Sequence, residues 1–430
     1  MAGGDRTAVS SVRDAVGAVW RIESARIVGA LARETGDFAL AEDVAQEALA
    51  EALVSWPRIG MPTNPGAWLL TTARRRAIDA HRRRQRLDDR LGQLGRRLED
   101  DDREAVDGDS QPERLGDPER IDDDVLALVF IACHPLLSRE ARVALTLRVV
   151  GGLTSDEIAR GFLVPTATIQ ARITRAKKTL AAARVPFEVP PPEERPARLG
   201  SVLSVIYLIF TEGSTASSGD ELIRVDLAHE AVRQARALAR LMPEEPEVHS
   251  LLALLELTAA RFPARTGPDG EPVLLADQDR RRWDRSAIRR GRAALAVATK
   301  LGRGLGPYGL QAAIAECHAV APSVDDTDWE RIVVLYEALG RIAPSPVVAL
   351  NRAVAVSMAE GPATALRLVD ELRDDPHLRA SHLLPSVRGE LLVRLGRTAE
   401  ARDELTLAIE RCGNDKEREL LARKLRDLDL

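Results

Sequence analysis

Apolar residues in this chain recur three and four positions apart, and no stretch alternates Val, Ile and Thr with polar residues as a half-buried strand requires. Ile169, Ile173, Ala176 and Leu180 form one such stripe. Ala45, Leu49 and Leu53 form another, with Val44 and Ala48 alongside. The remaining composition agrees: Ala, Leu and Arg dominate, and aromatic residues make up only 3%, so helix propensity is high almost throughout. The expectation is an all-α chain. At 430 residues it exceeds one ordinary core, and roughly two to four domains are expected.

Breaks in the periodicity divide the chain. A helical stretch over 15–94 gives way at 95–123 to Gly, Pro, Ser and many acids, read as a flexible linker. A second helical unit covers 124–185. Pro186, Pro190, Pro191, Pro192 and Pro196 then suggest a stiff spacer. From 197 to 430 the helical pattern resumes. The formal net charge of −5 conceals Arg-rich blocks at 74–86 and 172–184 on either side of an acidic block at 99–124. Blocks of opposite sign point to partners of opposite sign.

Several classes fare poorly. Cys133, Cys317 and Cys412 are scattered and odd in number, which suits a reducing cytoplasm better than a disulfide framework. The first residues lack an apolar leader, and the longest apolar run, 202–210, is interrupted by Ser204 and too short to span a bilayer. A cytoplasmic protein away from membranes is expected. The seven His are dispersed, without a His-Glu-x-x-His, Walker or Gly-x-Ser-x-Gly motif. Neither an enzyme, a cofactor nor a metal is therefore expected. The adjacent pair Cys133 and His134 reads as core.

Two motif groups carry chemistry. In "AEDVAQEALAEAL" the residues Asp43, Gln46 and Glu47 lie opposite the apolar stripe, on a face open to solvent or a partner. Asn64 and Pro65 then start a helix, Asn as cap and Pro in the first turn. That helix carries seven Arg and one Asp over 74–86, a density suited to phosphate neutralisation. Trp68 is open between stacking on an unpaired base and burial, since Leu69, Ala73 and Ile78 also seek a core. Farther on, Thr154 and Glu157 form a capping box for a short helix. Leu163 and Val164 make a turn, and Pro165 opens a helix with five basic and no acidic residues over 165–184. Thr168, Gln170, Arg172, Arg175, Lys177 and Lys178 are expected outside, as on a recognition helix for a major groove.

These motifs resemble the extracytoplasmic-function sigma factors of RNA polymerase. "AEDVAQEALAEAL" with "NPGAWLLTTARRRAIDAHRRR" is similar to their region two, and the 137–180 segment to their region four. The resemblance implies two small helical sigma domains and, as partners, core RNA polymerase and promoter DNA. It would place Asp43, Gln46 and Glu47 on core polymerase. The loop at 57–63 with Asn64, Trp68, Arg74, Arg75, Arg76, Arg82 and Arg83 would take the minus-ten element as melted strand. Thr166, Thr168, Gln170, Arg172, Arg175 and Lys178 would read the minus-35 element. Leu163 departs from the Gly common at that turn. By the same resemblance the acidic linker would thread toward the polymerase active site.

The C-terminal half contains a loose repeat. "AEGPATALRLVDEL" and "LGRTAEARDELTLAI" are offset by roughly 36 residues, and "LARLMPEEPEV" and "LGRIAPSPVV" share a helix–Pro–helix joint, near the period of tetratricopeptide pairs. "FTEG", "LLADQDRRRWDR", "PYGLQAAIAECHA" and "SPVVALNRAVAV" resemble a sigma subgroup with such an extension. Stacked helix pairs offer a groove for a regulatory protein or peptide, with Asp277, Asp279, Arg280, Trp283, Asn351 and Arg352 as the candidate regulatory surface. For the 277–285 stretch a helix cap with salt-bridged neighbours is the favoured alternative. The competing function is a helix-turn-helix regulator with a helical sensor that never binds core polymerase.

Overall fold

The computed structural model describes residues 4–95, 118–162, 164–214, 225–267, 271, 273–302 and 304–428. The chain is helical, and among the described residues there is no extended strand. It divides into two compact units, Met1–Val205 and Ile206–Leu430.

In the first unit α1 (Gly4–Thr35), α2 (Phe38–Ile59) and α3 (Pro65–Gly95) pack on one another, and α4 (Pro118–Ala132) packs against α1. Gly36, at φ +63°, ends α1, and Asp37 caps α2 by accepting from the Leu40 amide at 2.9 Å. Trp20, Leu31, Val44, Trp56, Leu69 and Leu70 fill the interior. The expected start of α3 is present: Asn64 Oδ1 accepts from the Ala67 amide at 3.1 Å. Two apolar residues expected in the core are not there. Leu53 is 37% exposed and Ile78 53%, because each lies at the margin of a stripe narrower than the sequence spacing suggested. The loop expected at 57–63 is also shorter. Helix α2 continues through Pro57 to Ile59 and stops at Gly60, whose φ is +85° and whose amide bonds Trp56 O. Pro57 sits in the last turn, where one lost donor costs little next to the buried Trp56.

The unit continues with α5 (Arg139–Val149), α6 (Ser155–Gly161) and α7 (Thr166–Ala182). The stripe Ile169, Ile173, Ala176 and Leu180 is buried, with α7 against α5 and α6. Most of the linker expected at 95–123 lies outside the described residues, as does Leu163. Its last residues, 118–123, are instead the opening turns of α4. Pro118 suits a first turn, and the acids that follow favour the positive helix end. The Pro-rich segment is irregular up to 194, where α8 (Arg195–Ser214) begins.

In the second unit α9 (Val225–Leu241), α12 (Arg285–Lys300) and α13 (Pro307–Val320) surround α10 (Pro246–Ala259). A four-residue helix, α11 (Phe262–Arg265), precedes two 3₁₀ turns at Leu275–Asp277 and Arg280–Arg282. Then α14 (Trp329–Ile342), α15 (Pro346–Ala359), α16 (Pro362–Asp370), α17 (Leu383–Arg394), α18 (Thr398–Arg411) and α19 (Asp415–Asp427) each pack on the next, as in a stack of helix pairs. The repeated phrases have structural counterparts. Pro246 and Pro346 both open helices, and Gly361 (φ +100°) and Gly396 (φ +72°) both make the turns before α16 and α18.

Helices α8 and α9 touch so closely that a Cβ on Gly213 would lie 2.4 Å from the Ala228 amide nitrogen, a backbone atom that cannot yield. Gly213→Ala should therefore destabilise the second unit by about 1–3 kcal/mol despite its better helix propensity. A denaturant melt with an unchanged midpoint would contradict that contact.

Candidate nucleic-acid and polymerase interface

Asp43 and Glu47 are exposed on α2, and Gln46 is half-buried between them with its Nε2 buried and without a partner. The neighbour that the sequence reading passed over is Glu42, 3% exposed. Its carboxylate accepts from Arg148 Nε at 3.2 Å and from Lys177 Nζ at 2.7 Å. Lys177 also pairs with Asp43. Lys177 was expected outside on α7, yet only 13% of its side chain is exposed. Its position on α7 turns it toward α2, where two carboxylates converge. Burial works against its charge, but Glu42 and Asp43 outweigh burial and hold its pKa above the ordinary value.

The arginines of α3 divide into two sets. Arg74 is bidentate on Glu34, its Nε at 2.9 Å from Oε2. Arg76 bridges Glu47 at 2.8 Å and Glu51 at 2.6 Å. Arg75, Arg82 and Arg83 are exposed and make no ion pair with any described residue. These three, rather than all five, are left without an acid among the described residues. Asn64 is exposed, and Trp68 is half-buried, edge-on to Trp56 with ring centroids 5.4 Å apart. Part of its ring is thus spent on packing.

The second motif forms as its spacing suggested. Thr154 Oγ1 accepts from the Glu157 amide at 3.2 Å, and Glu157 Oε2 accepts from the Thr154 amide at 2.7 Å. Thr166 at the start of α7 donates to Asp156 Oδ1 at 2.8 Å, fixing α6 against α7. Gln170, Arg175 and Lys178 are exposed, Thr168 and Arg172 half-exposed. No carboxylate of a described residue pairs with Arg172, Arg175 or Lys178. A short helix pair that presents unpaired cations from one face can enter a groove lined by phosphates.

Three family models match the chain: Sigma-70 region 2 over residues 21–87, Sigma-70 region 4 over 128–180, and a family of unknown function, DUF6596, over 198–299. The chain is a sigma factor of the sigma-70 type, with extracytoplasmic-function sigma factors among its distant relatives. A probable ECF RNA polymerase sigma factor, SigI, of Mycobacterium tuberculosis is 26% identical over 50% of this chain and 68% of its own length. The RNA polymerase sigma-H factor of Pseudomonas aeruginosa is 29% identical over 38% of this chain and 82% of its own. An uncharacterized protein of Rhizobium meliloti (strain 1021) is 44% identical over 91% of this chain and 90% of its own length, so the relationship extends through the C-terminal unit.

In this sigma factor the proposed regulatory residues do not share one surface. Asp277 is exposed, whereas Arg280 and Trp283 are buried at 8% and 2% exposure. They are drawn inward because Trp283 packs among Leu257, Ala260, Ala264 and Ile288. Asp279 caps the 3₁₀ turn and pairs with Arg281 at 2.9 Å, in keeping with the cap reading. Arg352 pairs with Glu337 at 2.8 Å beside the exposed Asn351. Cys133 lies in the core, where burial pushes its thiol up to about 11. An unanticipated group also gathers: ligand atoms of His382, Cys412 and Glu417 lie within 4.8 Å of one another. Among the described residues no helix is long and apolar enough to cross a membrane.

Glu42→Gln would leave Lys177 and Arg148 facing a neutral amide in a buried site. It should destabilise the first unit by about 3 kcal/mol, whereas Asp43→Asn at the exposed end should cost about 1 kcal/mol or less. Equal losses in parallel unfolding curves would show that the buried carboxylate has no special part.

Proposed function

We propose that this sigma factor docks on core RNA polymerase through α2, using Asp43, Gln46 and Glu47, and directs it to promoters in the cytoplasm. The loop before α3 and the face carrying Asn64, Trp68, Arg75, Arg82 and Arg83 take the minus-ten element as opened strand. Helix α7 reads the minus-35 element in the major groove through Thr168, Gln170, Arg172 and Arg175. The C-terminal unit controls activity by receiving a regulatory ligand. The observation that carries the reading is the set of unpaired cations on the outer face of α7, in the segment that matches sigma region four. A helix-turn-helix regulator without polymerase is less well supported, because the region-two match spans the whole of α2.

Docking through Asp43 competes with Lys177, which already holds that carboxylate. Charge reversal at Asp43 and Glu47 together should weaken association with core polymerase by at least about tenfold, read by competition against a labelled sigma factor. Undiminished competition would place the docking face elsewhere.

Promoter reading separates the residues of α7. Loss of Arg172 or Arg175 should cost about 1–3 kcal/mol and relax preference at one promoter position. Lys178→Ala should weaken all promoters alike and lower the salt slope by about one unit. A uniform loss for all three variants would reduce α7 to a phosphate grip.

A further inference from the structure

Buried charge in the second unit is handled in two ways. Glu256, 2% exposed, is neutralised by Arg236 at 2.6 Å and Arg290 at 3.0 Å. Among the described residues, Arg261, half-buried, and Arg280, 8% exposed, have no such partner. Their guanidinium carbons stand 5.6 Å and 4.8 Å from the centroid of the Trp283 ring, and no carboxylate of a described residue forms an ion pair with either. Arg280 gives Nη1 to the carbonyls of His318 (2.6 Å) and Ala321 (2.7 Å), while its Nη2 is buried with no partner. Trp283 Nε1 and His318 Nδ1 are buried and unpartnered too. Arg261 makes a single long bond, Nε to Gln278 Oε1 at 3.4 Å. Arg265, one turn on, donates to Ser214 O at 2.7 Å. Asp326 acts on Arg280, and Glu417 on Arg265, only from beyond ion-pair distance.

Unpaired charge in an apolar setting is costly, and a guanidinium does not shed its proton to escape that cost. Burial, then Arg265 and Arg280, push Arg261 down to about 10. Burial, then Arg261 and Arg280, push His318 down to about 4, so its ring is neutral. The surroundings are apolar: Leu257, Ala260, Ala264 and Ile288.

We propose that Arg261, Arg280, Trp283 and His318 form a binding site for a small-molecule oxyanion, a phosphate or carboxylate group, in the C-terminal unit of this sigma factor. The anion supplies the charge that the fold withholds. The two guanidiniums offer planar forks matched to such a group, and the indole N–H adds a neutral donor. The site stands on these contacts and does not depend on how the first unit engages DNA or polymerase.

The test is titration of the full chain with inorganic phosphate and with succinate, by calorimetry and thermal unfolding, against sodium chloride at equal ionic strength. At least one probe should bind at millimolar concentration or below and raise the unfolding temperature. Phosphate alone assigns a phosphoryl ligand, and succinate alone a carboxylate. Arg261→Gln breaks one weak hydrogen bond, so it should fold, and it should weaken binding by about tenfold or more. In chloride that variant should unfold at or above the wild-type temperature, because a buried like-charge repulsion is gone. If neither probe stabilises the wild type beyond chloride, or if Arg261→Gln binds as the wild type does, the assignment is overturned. The wild-type titration decides even if the variant does not fold.

Discussion

The first unit depends on one buried carboxylate. Glu42 projects from α2 into the space where α5 and α7 meet it, and Arg148 and Lys177 close on it from those two helices. An uncompensated charge at that depth would cost several kcal/mol. The three side chains therefore tolerate little displacement, and α7 is held in one rotational setting against α2. That setting decides which of its basic residues are consumed. Lys177 turns inward, and Arg172, Arg175 and Lys178 are left outward with no carboxylate partner among the described residues. The same clasp places Lys177 on Asp43, so the face assigned to polymerase and the helix assigned to DNA share an ion pair within this unit.

Arginine serves three purposes along the chain, distinguished by what lies within 4 Å. Arg74, Arg76 and Arg148 neutralise acids on neighbouring helices and hold the bundle together. Arg75, Arg82 and Arg83 face solvent with no ion-pair partner among the described residues. Arg280 is buried and Arg261 half-buried beside Trp283, without an ion-paired acid among the described residues. Composition records all three as positive charge. Only the outward set adds to the long-range attraction for nucleic acid, and only the buried set creates an internal need for an anion.

Local rules were readable from sequence wherever a residue acts on its own helix. The Asn64 cap, the Thr154 and Glu157 box, Pro246 and Pro346 at helix starts and the Ile169 to Leu180 stripe each depend on neighbours within four positions. Partners far away in sequence were not readable. Glu42 and Lys177 are separated by 135 residues, so nothing in the "AEDVAQEAL" spacing marks Glu42 as the buried acid and Asp43 as the exposed one. Ile78 and Trp283 failed in opposite directions for the same reason. A periodic pattern gives a helix face, but the depth of that face is set by the elements packed on it. Ile78 is left half-covered, and Trp283 is enclosed by α10 and α12.

The central claim is that the chain confers promoter-dependent initiation on polymerase. Run-off transcription with purified core enzyme, the full-length chain and genomic fragments tests it most directly. Transcripts of discrete length are expected that require this chain and are lost when Asp43 and Glu47 are both reversed in charge. An absence of chain-dependent transcripts, together with no association with core enzyme, would contradict it.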